Sequence, residues 1–211
     1  MLMFYENNPQ SILRFGDIVR GFLLTYSQGY IPSSAEKPDT FRIDVSHPEL
    51  AAVLTPCCTI AQDSGNMVIL TPLRQIRPDY YFTNSYLKED FTRMNREMTI
   101  QQAIGPEKWG RISDEEKSQR LSDSPGRQYI NLNFFVYDKH DLLPEYELKF
   151  NRLRESINYY MIDFRSICRV QMPKELNPSS VKILQLSVSA RQELREKLAH
   201  YFGRKPEEDI L

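Results

Sequence analysis

Short β-forming runs fall in two blocks, residues 14–73 and 128–186, separated by a charged segment of helical character over Gln75–Arg127. This interruption limits the fold more than any other feature of the sequence. With 211 residues the chain has room for one core of moderate size rather than two. The second block of strands is therefore expected to complete what the first begins. The expected architecture is a single domain over 1–211, mainly β with α. In it, 14–73 and 128–203 supply the strands and a closing helix, and 75–127 is a helical insertion.

Local signals fill in this outline. Gly16-Asp17 stands in front of an apolar run, Ile18–Tyr26, that reads as an opening strand. Thr40–Val45 alternates apolar and polar residues as a half-buried strand does, while Ser27–Asp39, with Gly29, Pro32 and Pro38, reads as a loop. Leu50–Thr55, bounded by Pro56, and Asn66–Leu73 are continuous apolar runs that read as two central strands joined across a turn. Within 84–104, Leu87, Phe91, Met94, Met98 and Ile100 recur at mostly helical intervals, and Trp109 reads as an anchor of the insertion. Ser113 with Glu116 has the form of a capping box for a helix to Leu121. Strand signals return over Gln128–Tyr137, Glu145–Phe150, Asn158–Val170 and Val181–Leu186. Ser189 and Gln192 then cap a helix that aligns Leu194, Leu198, Tyr201 and Phe202 and stops at Gly203.

The charge balance excludes a global attraction to polyanions. There are 27 Lys plus Arg against 28 Asp plus Glu, a net charge of -1, so any nucleic-acid binding must use a local patch. One such patch is legible: Arg74 and Arg77 are followed by Tyr80 and Tyr81. Guanidinium and phenol groups together serve single-stranded nucleic acid and the hot spots of protein interfaces alike. No run approaches the ~20 apolar residues of a membrane span, and the opening residues lack a basic segment followed by an apolar one. The expectation is a cytoplasmic chain with no membrane partner. Gly-rich phosphate loops, the Rossmann fingerprint, Gly-x-Ser-x-Gly, paired CxxC and HExxH are all missing from the sequence. With His47, His140 and His200 scattered, neither a metal nor a cofactor is expected. Cys57, Cys58 and Cys168 are odd in number, and neighbours such as Cys57 and Cys58 pair only with strain, so all read as free thiols. Cys57 and Cys58, after Pro56 at a strand end, are the candidates for a reactive thiol.

Phe15-Gly16-Asp17-Ile18-Val19, then Pro48 before Ala51-Ala52-Val53-Leu54-Thr55-Pro56, then Met67-Val68-Ile69-Leu70-Thr71-Pro72-Leu73, resembles the opening of the MazF/PemK toxins and their relatives. Met161-Ile162-Asp163-Phe164-Arg165 is similar to that family's late strand, and a short strand and helix follow it in both. The resemblance covers residues 14–73 and 158–203. It implies an SH3-like β-barrel in a cytosolic prokaryotic protein whose relatives form dimers and either cut RNA without a metal or act as toxin-like partners. Carried onto this chain, the ribonuclease site would consist of Thr55, His47 and Arg20 or Arg74. His47 stands where the ribonucleases have an arginine before the proline, and a mostly neutral imidazole replaces a permanent charge. The expected role is therefore a non-catalytic binding or accessory module of a prokaryotic defence or toxin–antitoxin assembly. Its ligand would be a protein partner, or single-stranded nucleic acid at Arg74, Arg77, Tyr80 and Tyr81. The rivals are a metal-independent endoribonuclease and a cysteine-dependent enzyme using Cys57 or Cys58.

Overall fold

Ile18–Tyr26 does not run as one strand. Gly21 adopts φ 84°, a conformation that side chains with a Cβ rarely take, and the run divides there into β1 (Ile18–Val19) and β2 (Leu24–Ile31). The computed structural model describes residues 3–31, 40–56, 67–123, 125–172 and 177–203. The strands that follow are β3 (Thr40–Ser46), β4 (Ala51–Val53), β5 (Met67–Pro72), β6 (Arg74–Gln75), β7 (Met98–Thr99), β8 (Arg127–Gln128), β9 (Phe134–Tyr137) and β10 (Tyr146–Phe150). After these come β11 (Leu153–Ile157), β12 (Tyr160–Asp163), β13 (Cys168–Gln171) and β14 (Lys182–Leu184). The helices are α1 (Pro78–Thr83), α2 (Ile100–Ile104), α3 (Pro106–Gly110), α4 (Asp114–Asp123), α5 (Pro178–Val181) and α6 (Val188–Gly203).

The chain divides into two compact units, Met1–Leu73 with Arg165–Ser187, and Arg74–Phe164 with Val188–Leu211. In the first, five antiparallel strands lie in the order β13-β5-β4-β1-β14, and β2 pairs with β3 as a separate ribbon. Val19, Phe22, Leu24, Val53, Val68, Leu70 and Cys168 form its core. Gly16, at φ 86°, turns the chain so that Asp17 becomes fully buried at the start of β1. There Asp17 Oδ2 accepts the Arg14 backbone N–H at 2.8 Å and meets Lys182 Nζ of β14 at 2.8 Å. The Lys182 ammonium also donates to the carbonyls of Gln10, at 2.7 Å, and of Ile12. The Gly-Asp pair that reads as a turn signal is thus an internal tie between the neighbouring strands β1 and β14.

The second unit has a three-stranded sheet, β6-β12-β9, a β10–β11 hairpin and the small β7–β8 pair. Its core joins Phe134, Val136 and Met161 of the sheet to Tyr81, Phe91, Met94 and Met98. Residues 128–164 therefore lie in the same unit as 74–127. A strand pattern says that a run is extended and leaves its partner open; the apolar faces of β9 and β12 choose the residues from 78 to 98.

The helix expected over 84–104 is two 3-10 turns, Ser85–Leu87 and Phe91–Asn95, followed by β7 and α2. Asp90 breaks it at φ -142°, accepting a 2.5 Å hydrogen bond from Thr92 Oγ1, a local side-chain contact that competes with helix. Asn95 is buried, and its side-chain amide exchanges two 2.7 Å hydrogen bonds with the Val136 backbone, extending β9's pairing with a side chain. α4 follows its sequence signal, with Ser113 Oγ accepting the Glu116 N–H at 3.2 Å. The molecule is mixed α/β, and among the described residues its small sheets form no closed barrel.

Candidate functional site

The residues named from the sequence fall on several elements. Thr55 follows β4 and is 2% exposed, and its Oγ1 accepts the Ile69 N–H of β5 at 2.6 Å. His47 is exposed after β3, and Arg20 is exposed after β1 with its backbone N–H donating to Val181 O at 3.0 Å. Arg74 is exposed on β6, in the other unit. Cys57 and Cys58 lie outside the described residues.

The Arg74, Arg77, Tyr80, Tyr81 group is split by burial. Arg77 is exposed and grips Asp79 through Nε at 3.1 Å and Nη2 at 2.5 Å, and that hydrogen bonding holds the Asp79 carboxyl below its ordinary range. Tyr81 is 1% exposed and donates its hydroxyl to Glu155 at 2.9 Å, while half-buried Tyr80 packs edge-on against Phe91 and Phe134. Burial raises both phenols far above their usual range. Tyr81 is a core residue of the second unit, and half-buried Tyr80 packs against that core.

A site that the sequence did not single out lies along α6. Ala190, Arg191, Leu194 and Lys197 form its buried face, a spacing that puts a lysine where an apolar side chain is expected. Lys197 is 1% exposed; its Nζ donates to Met94 O at 2.6 Å and lies 5.2 Å from the centre of the Tyr129 ring. Burial drives the amine down to about 7, with the Glu193 carboxylate one turn earlier opposing the shift. Glu193 Oε1 accepts from Arg96 Nε at 2.8 Å, and its other oxygen, Oε2, is buried without a hydrogen-bond donor. Burial also raises the Glu193 carboxyl above its ordinary range, while Arg96 works the other way.

Above these groups opens a cleft of about 260 Å³, lined by Asn95, Arg96, Glu97, Arg127, Tyr129, Glu193, Glu196 and His200. His200 Nε2 is 3.6 Å from Glu97 Oε1, its ring meets Tyr129 edge-on at 5.4 Å, and Arg127 Nη2 donates to Glu97 O at 3.1 Å. The cleft therefore combines both signs of charge and an aromatic wall, and Lys197 lies buried outside its lining. From sequence alone Glu193 and Lys197 read as an ordinary solvated pair at spacing four. Only the apolar spacing of Ala190 and Leu194 around them could have signalled burial. A second depression, about 320 Å³, lies against Tyr86, Lys88, Gly105 and Lys108.

Comparison with protein-family models, with curated proteins and with solved structures yields no match. Among the described residues no helix is long and apolar enough to cross a membrane, and no three His, Cys, Asp or Glu side chains gather as metal ligands.

Proposed function

We propose that this chain is a non-catalytic binding module of a prokaryotic defence or toxin–antitoxin type assembly, with a protein as its partner. The observation that carries the reading is the state of Thr55. The residue that the MazF/PemK resemblance assigns to RNA cleavage is 2% exposed and uses its hydroxyl as a strut between β4 and β5. A nucleophile or acid needs reach to its substrate, and this hydroxyl has almost none. The resemblance itself is kept for the first unit as an SH3-like reading, supported by the position of its motifs: Ile18–Val19, Ala51–Val53 and Met67–Pro72 occupy the neighbouring strands β1, β4 and β5. A protein is favoured over a nucleic acid because the tyrosines beside Arg74 and Arg77 are turned inward and Arg77 already holds a carboxylate.

Two measurements test this. Purified chain with mixed-sequence single-stranded RNA in EDTA is expected to leave the RNA intact. Co-expression with the products of flanking genes is expected to give a complex of fixed stoichiometry by size exclusion, stable to added salt. Rapid metal-independent cleavage that disappears in both Thr55→Val and His47→Ala would install the ribonuclease instead. RNA binding that weakens steeply with salt and is lost in Arg74→Ala/Arg77→Ala would replace the protein partner with a nucleic acid.

A further inference from the structure

β11 pairs with β10 and, among the described residues, with no other strand. Only Asn151 and Arg152 separate the closing pair of this hairpin, Phe150 and Leu153, and Asn151 takes the positive φ of 55° that so tight a turn requires. A closing pair of this kind exchanges both of its backbone hydrogen bonds, and bonded and non-bonded pairs then alternate along the ladder. Leu148/Glu155 and Tyr146/Ile157 are therefore bonded pairs, whereas Arg154 and Ser156 direct their N–H and C=O groups away from β10. Both residues are exposed, and among the described residues no other backbone group meets theirs. β11 thus presents a short, open ladder edge to solvent.

The side chains beside this edge select what can join it. Lys149 and Arg154 stand directly opposite each other, an arrangement of like charges that costs stability. Glu147 is taken up by Lys149 at 2.8 Å, and Glu145, further from the turn, accepts from Ser156 Oγ at 3.3 Å. Among the described residues Arg154 and the neighbouring Arg152 have no carboxylate within ion-pair distance, so the turn end of this face is short of anions. On the other face Leu153 is 53% exposed. A joining strand alternates its side chains between the two faces. It meets Arg154 with one residue and the Leu153 side with the next, which calls for acidic and apolar residues in alternation. A second copy of β11 would bring arginine to arginine, and a nucleic acid has no alternating donors and acceptors with which to extend the ladder.

We propose that an extended segment of the protein partner, alternating acidic and apolar residues, adds to β11 as a third strand. This rests on the reading of the chain as a protein-binding module and names the surface and the partner chemistry for it. The main-chain bonds, which salt screens little, supply affinity, and Arg152 and Arg154 select the sequence.

The test is titration of the isotope-labelled full chain, followed by NMR, with a synthetic peptide of four Glu-Val repeats. A Lys-Val repeat, the Glu-Val peptide methylated at every backbone nitrogen, and oligouridylate are the comparison probes. The Glu-Val peptide is expected to saturate one site below about 1 mM and to slow exchange of the Arg154 and Ser156 amides, with the Lys-Val and methylated peptides weaker by about tenfold or more. Arg152→Glu/Arg154→Glu is expected to reverse the preference, taking Lys-Val over Glu-Val at an unchanged melting temperature. Ser156→Pro removes one outward N–H without touching the pairing with β10, and is expected to weaken the Glu-Val peptide about tenfold or more. Absence of saturation up to about 1 mM would overturn the proposal. Equal binding of the Lys-Val or methylated peptide would overturn it too, as would tighter binding of oligouridylate or a charge-reversed chain that binds like wild type. The charge-reversed variant decides the matter even if Ser156→Pro fails to fold. A complex with a flanking-gene product that forms although the peptides fail removes β11 and leaves the module reading; peptides that bind although no such complex forms do the reverse.

Discussion

Lys197 is the residue whose position in the fold runs most against its chemistry. Its amine is 1% exposed, held by one carbonyl and an aromatic face, and burial has taken it down to about 7. In the unfolded chain a lysine titrates near 10.4, so between about 7 and 10.4 the unfolded state binds more protons than the folded one. Stability therefore rises with pH across that window, and below about 7 the chain bears the whole burden of a buried ammonium. Lys197→Met fills a similar volume without the charge but leaves Met94 O without its donor, a loss of ~1–3 kcal/mol that offsets part of the gain. The expected outcome at pH 7 is a net stabilisation of roughly 1–2 kcal/mol, a rise of a few degrees in melting temperature. This advantage should shrink as pH approaches 10. Thermal melts of both proteins from pH 6 to 10 check it, and an advantage that grows with pH would contradict the assignment of burial as the cause. Asp17 and Lys182 show the other solution to the same problem: with side chains 0% and 4% exposed, they remain paired at 2.8 Å and the ammonium is met by further carbonyl oxygens.

At the scale of elements, what the sequence could and could not reveal follows the range of the interactions. α4 was legible because Ser113 and Glu116 act within one turn; α6 was legible as a helix, but it buries Ala190, Arg191, Leu194 and Lys197 rather than the expected face of Leu194, Leu198, Tyr201 and Phe202, and Phe202 is exposed. The break at Asp90 was not, since a periodic run of Leu87, Phe91 and Met94 serves a helix and a pair of 3-10 turns equally; all three are buried either way. Of the candidate sites, the individual residues were visible, but which side of the backbone they face was not. Tyr81 turns inward because the hydroxyl finds Glu155 from β11, 74 positions away. The junction of α2 and α3 shows how closely such elements can be fixed by one position. Gly105 sits there at φ 87°, and a Cβ on it would lie 3.0 Å from the Tyr86 ring, which is itself anchored by its hydroxyl donating to Ala103 O at 2.5 Å. Gly105→Ala combines a disfavoured backbone with an overlap against a tethered ring. It is expected to destabilise by roughly 1–3 kcal/mol, read as a lower urea midpoint with an unchanged slope. A neutral result would mean that Tyr86 yields freely and that the junction is not held by this contact.

At the scale of the whole molecule the chain passes between the two units at Leu73/Arg74, Phe164/Arg165 and Ser187/Val188. The first unit is complete at Ser187: β1, β4, β5, β13 and β14 all precede that point, as does the Asp17–Lys182 tie. The second unit is not, because α6 comes after it. α6 supplies Lys197 to the Met94 carbonyl, Glu193 to Arg96, and Tyr201 to the Phe164 ring at 5.4 Å. It also contributes Leu194, which is fully buried. A chain ending at Ser187 therefore separates the units by experiment. Amides of β1, β4 and β5 are expected to keep most of their hydrogen-exchange protection, while those over 91–98 and in β9 lose theirs, because stability in proteins is divided among cooperative segments. Loss of the fully buried Leu194 side chain alone removes on the order of 2–5 kcal/mol, a large part of the stability of a domain this size. Exchange measured by mass spectrometry on the wild-type and shortened chains distinguishes the outcomes. Protection lost evenly across both units would mean that they fold as one, and that the second core cannot be read apart from the first.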